Sequence, residues 1–309
     1  MANCAANIAT AVSSESSTAL LIEKHALSVS YALIQMLLER FQSLHLNGAL
    51  RGCLNGRRRL SRILLWHQWG VTRSVKGQEW YQADEIAEAY DDKRFTGGGR
   101  IIDHREKDAV LDALSPLDDK RVLEVACGTG RFTVMLADRG ADVVGMDISD
   151  AMLEQGREKA KAAGVADTAE FMRADAARLP FPDDHFDSVF AMRFFHLADA
   201  PNEFMAELQR VSREQVFFDT FNRYSARSIY NWLLPMGSRL YSSREIRELL
   251  LESELELVDA AHDFVFPYGF YRGLPDWAAR PFRAVDTSLG RTPVGRRLAS
   301  VSYWDARVR

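Results

Sequence analysis

The sequence predicts an α/β protein built on a doubly wound, mostly parallel sheet of seven strands with helices on both faces. Three observations lead there. Short, nearly continuous apolar runs such as Val122–Val125 and Val143–Met146 recur from residue 121 onward, as expected of strands buried on both faces. Segments with helical spacing of apolar residues separate them, and strand–helix alternation winds a parallel sheet. The first apolar run, in "VLEVACGTGRF", passes through two glycines directly into a helical pattern.

Taken in order, the elements begin with a helical lead-in, "EWYQADEIAEAYDDKRF", and a flexible loop at Thr96–Arg100 with three glycines. The helix in "HREKDAVLDAL" stops ahead of Pro116, because the residue before a proline is pushed out of the helical region. Strands are expected at Arg121–Ala126, Asp142–Asp147, Ala169–Arg173, Asp187–Arg193 and Gln215–Phe221. Helices fall between them at Phe132–Arg139, at Ala151–Ala163 with Ser149 as its cap, and at Asn202–Val211. Further helices are expected at Arg227–Leu234 and Ser242–Ser253, then a strand near Leu255–Phe266. A helical insert punctuated by Pro and Gly covers about 267–297, and a last, antiparallel strand runs over about Leu298–Arg307.

Composition bounds the function. A hydrophobic content of 47% and a charged content of 27% are ordinary for a soluble globular protein, and no apolar run reaches the roughly 18 residues of a membrane span. Cys4, Cys53 and Cys127 lack metal-ligand spacing and offer no disulfide framework. A reducing, cytoplasmic setting is therefore expected. Residues 75–309 hold 40 acidic and 31 basic groups, a net −9, which disfavours nucleic-acid binding.

Residues 1–74 differ, with three Glu, no Asp and eight Lys or Arg, a net +5. They read as an N-terminal appendage, with one amphipathic helix over 18–41 and a basic segment around Arg57, Arg58, Arg59 and Arg62. A targeting or surface-binding segment, a poorly ordered extension and a mis-set translation start all stay open for it. Residues 75–309 are expected to form the functional domain.

The glycine turn followed by Asp147, nineteen residues after Gly128, is the layout of a nucleotide-type ligand on a Rossmann-like βαβ unit. Gly128 and Gly130 permit a tight turn and close approach of a ligand to the main chain. A dinucleotide would call for a third glycine at the position of Thr133, and a phosphate loop would call for Gly-Lys-Ser/Thr; neither is present. Asp147, closing the second strand, is suited to accept hydrogen bonds from both hydroxyls of a ribose. Asp175, after the third strand, suits an exocyclic amine, or else a turn of its own backbone.

The motifs "VLEVACGTG", "VVGMDISDAML" and "FMRADAARLPFPDDHFDSVFAMRFFHL" together resemble the class I S-adenosylmethionine-dependent methyltransferases, in particular the small-molecule branch that includes quinone-biosynthesis C-methyltransferases. The resemblance covers residues 122–197. It implies S-adenosylmethionine as cofactor, a small-molecule methyl acceptor and no nucleic-acid partner. It also implies that Glu124 orients the glycine loop and the methionine amino group. Ala126, where many relatives have Gly, Gly128 and Gly130 pass beneath the cofactor. Asp147 holds the ribose, Met146 or Ile148 flanks the adenine, and Asp175 with the Ala176 amide reads the adenine edge. Arg193 sits beside the methionine end, and no metal is implied.

His196, just past the fourth strand, is the best-placed candidate base, against a packing role at the lip of the site. Tyr81 and Tyr90 are further candidates for closing over it. Aromatic residues in flanking segments, among them Phe194, Phe221, Tyr268 and Tyr271, suit an apolar or aromatic acceptor. Two other functions remain to be separated from this one: a non-catalytic S-adenosylmethionine-binding module, and a nicotinamide-dependent oxidoreductase.

Overall fold

The computed structural model describes residues 97–233 and 238–309. The expectations for residues 1–74, for the 79–95 lead-in and for Tyr81 and Tyr90 lie outside these described residues. Seven strands form one sheet: β1 (Arg121–Val125), β2 (Asp142–Asp147), β3 (Ala169–Arg173), β4 (Phe186–Ala191), β5 (Ser212–Phe221), β6 (Leu255–Asp263) and β7 (Val301–Val308). Their order is β3-β2-β1-β4-β5-β7-β6. Strands β1 to β5 pair in parallel, while β7 is antiparallel to both β5 and β6. The sheet is therefore mixed rather than purely parallel, because β7 enters between β5 and β6 against their direction.

Alternation along the strands sends neighbouring side chains to opposite faces. Val122 and Val143 join one core with α1 (Gly99–Leu114), α2 (Arg131–Ala137) and α3 (Asp150–Ala163), through Val110, Leu136 and Leu153. Leu123, Val125 and Val144 join the other with α4 (Pro201–Val211) and α6 (Ser243–Glu252), through Met205, Leu208 and Ile246. Between these, α5 (Arg227–Leu233) follows β5. Sequence-local chemistry sets the helix ends. Ser149 caps α3 by accepting from Met152 N at 3.4 Å, and Ser242 with Glu245 forms a reciprocal capping box on α6.

Several expected boundaries move, and three of the shifts bear on the site and its cover. The segment read as a flexible glycine loop already belongs to α1 from Gly99, and a Cβ on Gly98 would stand 2.0 Å from the Tyr271 carbonyl oxygen. Its glycines serve close approach, not mobility. Strand β4 stops at Ala191, before Arg193 turns into the left-handed region at φ 61°. Finally, the insert after β6 contains α7 (Tyr268–Arg272), α8 (Asp276–Gly290) and α9 (Pro293–Leu298), so β7 starts at Val301. Thr292 opens α9 by accepting from Gly295 N at 2.9 Å.

The contact of α2, α3 and β3 is unusually tight. A Cβ on Gly130 would lie 2.5 Å from the Phe171 ring, and one on Gly156 would lie 2.4 Å from it. Gly156 has ordinary helical geometry, so its glycine is required by the ring alone. Gly156→Ala is expected to destabilise the fold by about 1–3 kcal/mol through overpacking, read as a lower urea midpoint. An unchanged midpoint would show that the ring can move aside.

Candidate active site

The turn between β1 and α2 is built by alternating backbone conformations. Ala126, Gly128 and Gly130 have φ of 58°, 56° and 71°. Between them Cys127 N extends the sheet ladder to Met146 O at 2.9 Å, and Gly130 N closes the turn on Cys127 O at 3.0 Å. A left-handed conformation costs a non-glycine residue about 1–2 kcal/mol, so Ala126 carries a strain that a glycine there would not. Burial pushes the Cys127 thiol well above its ordinary range, reinforced by Glu124 and Asp147; it is no nucleophile at neutral pH.

A cleft opens at the carboxyl ends of β1 to β4, where the strand order reverses and ligands of such sheets bind. Ala126 and Gly128 line it from the first turn, with Met146, Asp147, Ile148 and Met152 from the second strand and its helix. Ala174, Asp175 and Ala176 follow β3, and Met192, Arg193, Phe194 and Leu197 follow β4. Of the expected cofactor residues, Ala126, Gly128, Asp147, Ile148, Asp175, Ala176 and Arg193 meet here. Glu124, Gly130 and His196 do not line the cleft. Met152, Met192 and Leu197 were missed, because an apolar residue beside a turn looks the same whether it lines a pocket or a core.

Asp147 is clamped by backbone. Its Oδ2 accepts from Gly128 N at 2.8 Å and its Oδ1 from Ser149 N at 3.0 Å. Burial raises its pKa, opposed by these N–H donors. A carboxylate offers about four lone-pair sites, so acceptor capacity is left over for a ligand. Where Gly128 lacks a Cβ, nothing stands within 4 Å; the main chain there faces open space. Asp175 makes the local turn, its Oδ1 accepting from Ala177 N at 2.9 Å, and it also lines the cleft.

Glu124 lies buried beneath the turn, accepting from Thr133 Oγ1 at 2.5 Å. Burial pushes its carboxyl up to about 8, against the lowering from Thr133 and Arg131. Thr133 occupies the place of the missing third glycine, and the close helix–strand approach is supplied from the other side: a Cβ on Gly145 of β2 would meet Thr133 Oγ1 at 2.6 Å.

A buried charge network backs the cleft, and no local sequence pattern announces it. Glu106 of α1 accepts from Arg193 Nη1 at 3.0 Å and also from Arg131, which in turn binds Asp103 at 2.6 Å. Arg193 N donates to Asp219 Oδ1 of β5 at 2.5 Å, fixing the left-handed turn after β4. Burial lifts the Asp219 carboxyl to about 6, with Arg193 pulling it down. The Arg193 guanidinium lies 4.9 Å from the ring centroids of Phe221 and Tyr268. His196 is buried and turns its ring edge-on to Phe221 at 5.0 Å, so it belongs to the Phe221 side of the site.

Residues 122–215 match the family model described as Methyltransferase domain. Over 135 residues the chain is 38% identical to a demethylmenaquinone methyltransferase from Clavibacter sepedonicus, covering 44% of this chain and 54% of that one. It is 37% identical over 166 residues to a ubiquinone/menaquinone biosynthesis C-methyltransferase from Paracoccus denitrificans, covering 48% and 64%. The chain thus spans about half to two thirds of the length of these curated relatives. Among solved structures, magnesium protoporphyrin IX methyltransferase from Synechocystis superposes with a TM-score of 0.57 at 14% identity, over 75% of this chain and 98% of that one. The [4+2]-cyclase SpnF gives 0.52 at 21% identity, over 66% and 80%. The fold and these matches define the class as far as residues 122–215, which match a methyltransferase domain on a sheet shared with solved methyltransferase structures. The curated sequences similar to it over this region are a demethylmenaquinone methyltransferase and a ubiquinone/menaquinone biosynthesis C-methyltransferase.

The raised carboxyls give a pH signature. Between its ordinary value of 4.5 and about 8, Glu124 binds a proton in the folded state that the unfolded chain has released. Stability then falls as pH rises through that window, and Asp147 and Asp219, also raised, act in the same direction lower down. Glu124→Gln keeps an acceptor for Thr133 and is expected to flatten the upper part of the decline. Denaturant titrations of the ligand-free protein across the window measure this; an equal slope in the variant would place the titrating group elsewhere.

Proposed function

We propose that the protein transfers a methyl group from S-adenosylmethionine to a small, apolar or aromatic molecule, on a Rossmann-like doubly wound domain spanning residues 75–309. The observation that carries the reading is the pairing at the head of the cleft: an Asp147 carboxylate with acceptor capacity left over, beside a Gly128 main chain open to close approach. These residues fit the cofactor. Asp147 would hold the ribose hydroxyls, Met146 and Ile148 would flank the adenine, and Asp175 with the Ala176 amide would read its edge. Glu124 would act from below, orienting the turn through its bond to Thr133 and offering a carboxyl oxygen as acceptor toward the methionine amine. In this reading Ala126 and Gly128 contact the cofactor and Gly130 shapes the turn from behind, against Phe171. Arg193, fixed by Glu106 and Asp219, would border the methionine end.

When bound, the cofactor supplies a methyl group already activated by a sulfonium charge, displaced in line by the acceptor. What the chain adds is alignment and exclusion of water, and positioning of this kind contributes roughly 7–11 kcal/mol. His196, on the Phe221 side of the site, would take the proton that an acidic hydroxyl or ring carbon loses on methylation. The insert at 267–297 would cover the acceptor, with Tyr268 already packed at 6.1 Å on Phe221. The names of the relatives support a quinone-like ring as acceptor. A dinucleotide oxidoreductase is disfavoured by the absence of the third glycine, whose place Thr133 takes with its bond to Glu124. The cyclase among the structural neighbours keeps a non-methylating role for the same fold in view.

Calorimetric titration with S-adenosylhomocysteine, with NAD as control, tests the cofactor. Micromolar binding of the first alone is expected, and Asp147→Ala should weaken it by about 1.5–3 kcal/mol, the worth of hydrogen bonds to a charged group. Unchanged affinity in that variant would refute the ribose assignment. Transfer of labelled methyl groups to a panel of reduced quinones and phenols tests the activity. His196→Ala is expected to lower turnover by about 10²–10⁴-fold while cofactor affinity holds. Tight cofactor binding without turnover of any acceptor would favour a binding module.

A further inference from the structure

Phe221, the last residue of β5, is a hub. Besides Arg193 and His196, the guanidinium of Arg227 stands over its ring, 3.5 Å from the centroid. Arg227 opens α5, and its environment is unlike that of Arg193. Where Arg193 has Glu106 at 3.0 Å, Arg227 has no carboxylate within ion-pair distance among the described residues; its hydrogen bond goes to Ser238 Oγ at 3.5 Å. Its other charged neighbours include Arg193 and Arg272, with Asp219 farther down in influence. Desolvation and those two cations lower its pKa to about 9, which still leaves it a cation at neutral pH.

The orphaned polar atoms point to the same place. Three buried side-chain atoms of the described residues lack a hydrogen-bond partner: Nε of Arg193, Nε of Arg227 and Oδ1 of Asn231. Asn231 lies one helical turn beyond Arg227 on α5, with its amide nitrogen already spent on Ser238 O at 2.6 Å. Buried polar groups are almost always paired, because an unpaired one forfeits its hydration for nothing. A guanidinium buried without a counter-charge is the costlier case. Here two guanidinium groups with an unpaired nitrogen each stand against one aromatic ring, Phe221, and the unpaired Asn231 oxygen lies one helical turn along α5 from Arg227.

We infer that this corner, between the end of β5, α5 and Tyr268, is an acceptor subsite that takes an anionic oxygen group, a carboxylate or a phosphate, on Arg227 with Arg193 beside it. The inference rests on the reading of the adjoining cleft as the cofactor site, and it narrows the acceptor class. The molecule would be an apolar or aromatic body with one acidic end, its body against Phe221 and Tyr268 and its charge on the guanidinium pair. Asn231 Oδ1 would accept a hydroxyl or a protonated acid oxygen on the same group. The anion would fix which atom of the acceptor faces the cofactor, so Arg227 is a specificity residue and not a member of the methyl-transfer chemistry.

The test is calorimetry on the full chain, with and without saturating S-adenosylhomocysteine, using benzoate and inorganic phosphate as separate probes. Saturable binding of one probe is expected, and which one binds separates carboxylate from phosphate. Arg227→Gln should weaken that binding by about tenfold or more, as expected for lost charge-assisted bonds, and Arg227→Lys should restore part of it. Cofactor affinity in both variants should stay within about twofold of the parent, which shows that they fold and that the cleft is intact. Neither probe binding to the parent, or equal binding by Arg227→Gln, would overturn the subsite. Absence of S-adenosylhomocysteine binding would instead count against the cleft reading, since the anion titrations are scored separately.

Discussion

The carboxylate of Asp147 ties together three pieces of chain: the end of β2, the glycine turn after β1 and the start of α3. It is reached by the glycine-turn amide from one side and by the first turn of α3 from the other. Both donors are backbone, so the clamp does not depend on side-chain rotamers, and it forms only if β1 and β2 pair in the observed parallel register, with Val125 beside Met146. Burial disfavours the charged form and the N–H donors favour it. The outcome is an acceptor that is held rigidly and still has capacity for a ligand.

Around that clamp the structure obtains its close approaches from missing side chains. Gly145 makes room for Thr133, and Gly130 and Gly156 make room for the Phe171 ring. The effect is to bring α2 and α3 against the sheet closely enough for the glycine turn to overhang the cleft. Dinucleotide-binding sheets meet the same need with a glycine on the helix. Here it sits on the strand, and the helix position is free to carry Thr133 and its bond to Glu124. One geometric requirement thus has two solutions, and they leave different chemistry under the ligand.

Behind the cleft, Asp103, Glu106, Arg131, Arg193 and Asp219 bury several charges in one connected set. Such a set is weak evidence for net stability, since desolvation offsets much of the attraction. Its value is positional. It joins α1, α2, the turn after β4 and the end of β5, and so couples the cleft to the aromatic corner around Phe221. Arg193 stands in both, which makes it the residue through which the two halves of the site are registered.

The sequence alone determined what is local or periodic. Apolar runs and helical spacing placed β2 and β3 to the residue and the remaining strands within a few residues. Ser149 announced a helix start, and the glycine turn with an aspartate nineteen positions on announced the head of the cleft, because each works through neighbours in the chain. Only the tertiary structure decided the rest. Whether the glycines at 97–99 loosen a loop or admit a carbonyl depended on Tyr271, which lies more than 170 residues away. That Glu106 and Asp219 meet at Arg193, and that Arg227 has no such carboxylate among the described residues, followed from packing distant elements together. A lone charged residue in a helix or strand looks the same in sequence whether it faces water or a buried counter-charge. The difference is made by desolvation, and desolvation exists only once the chain has folded.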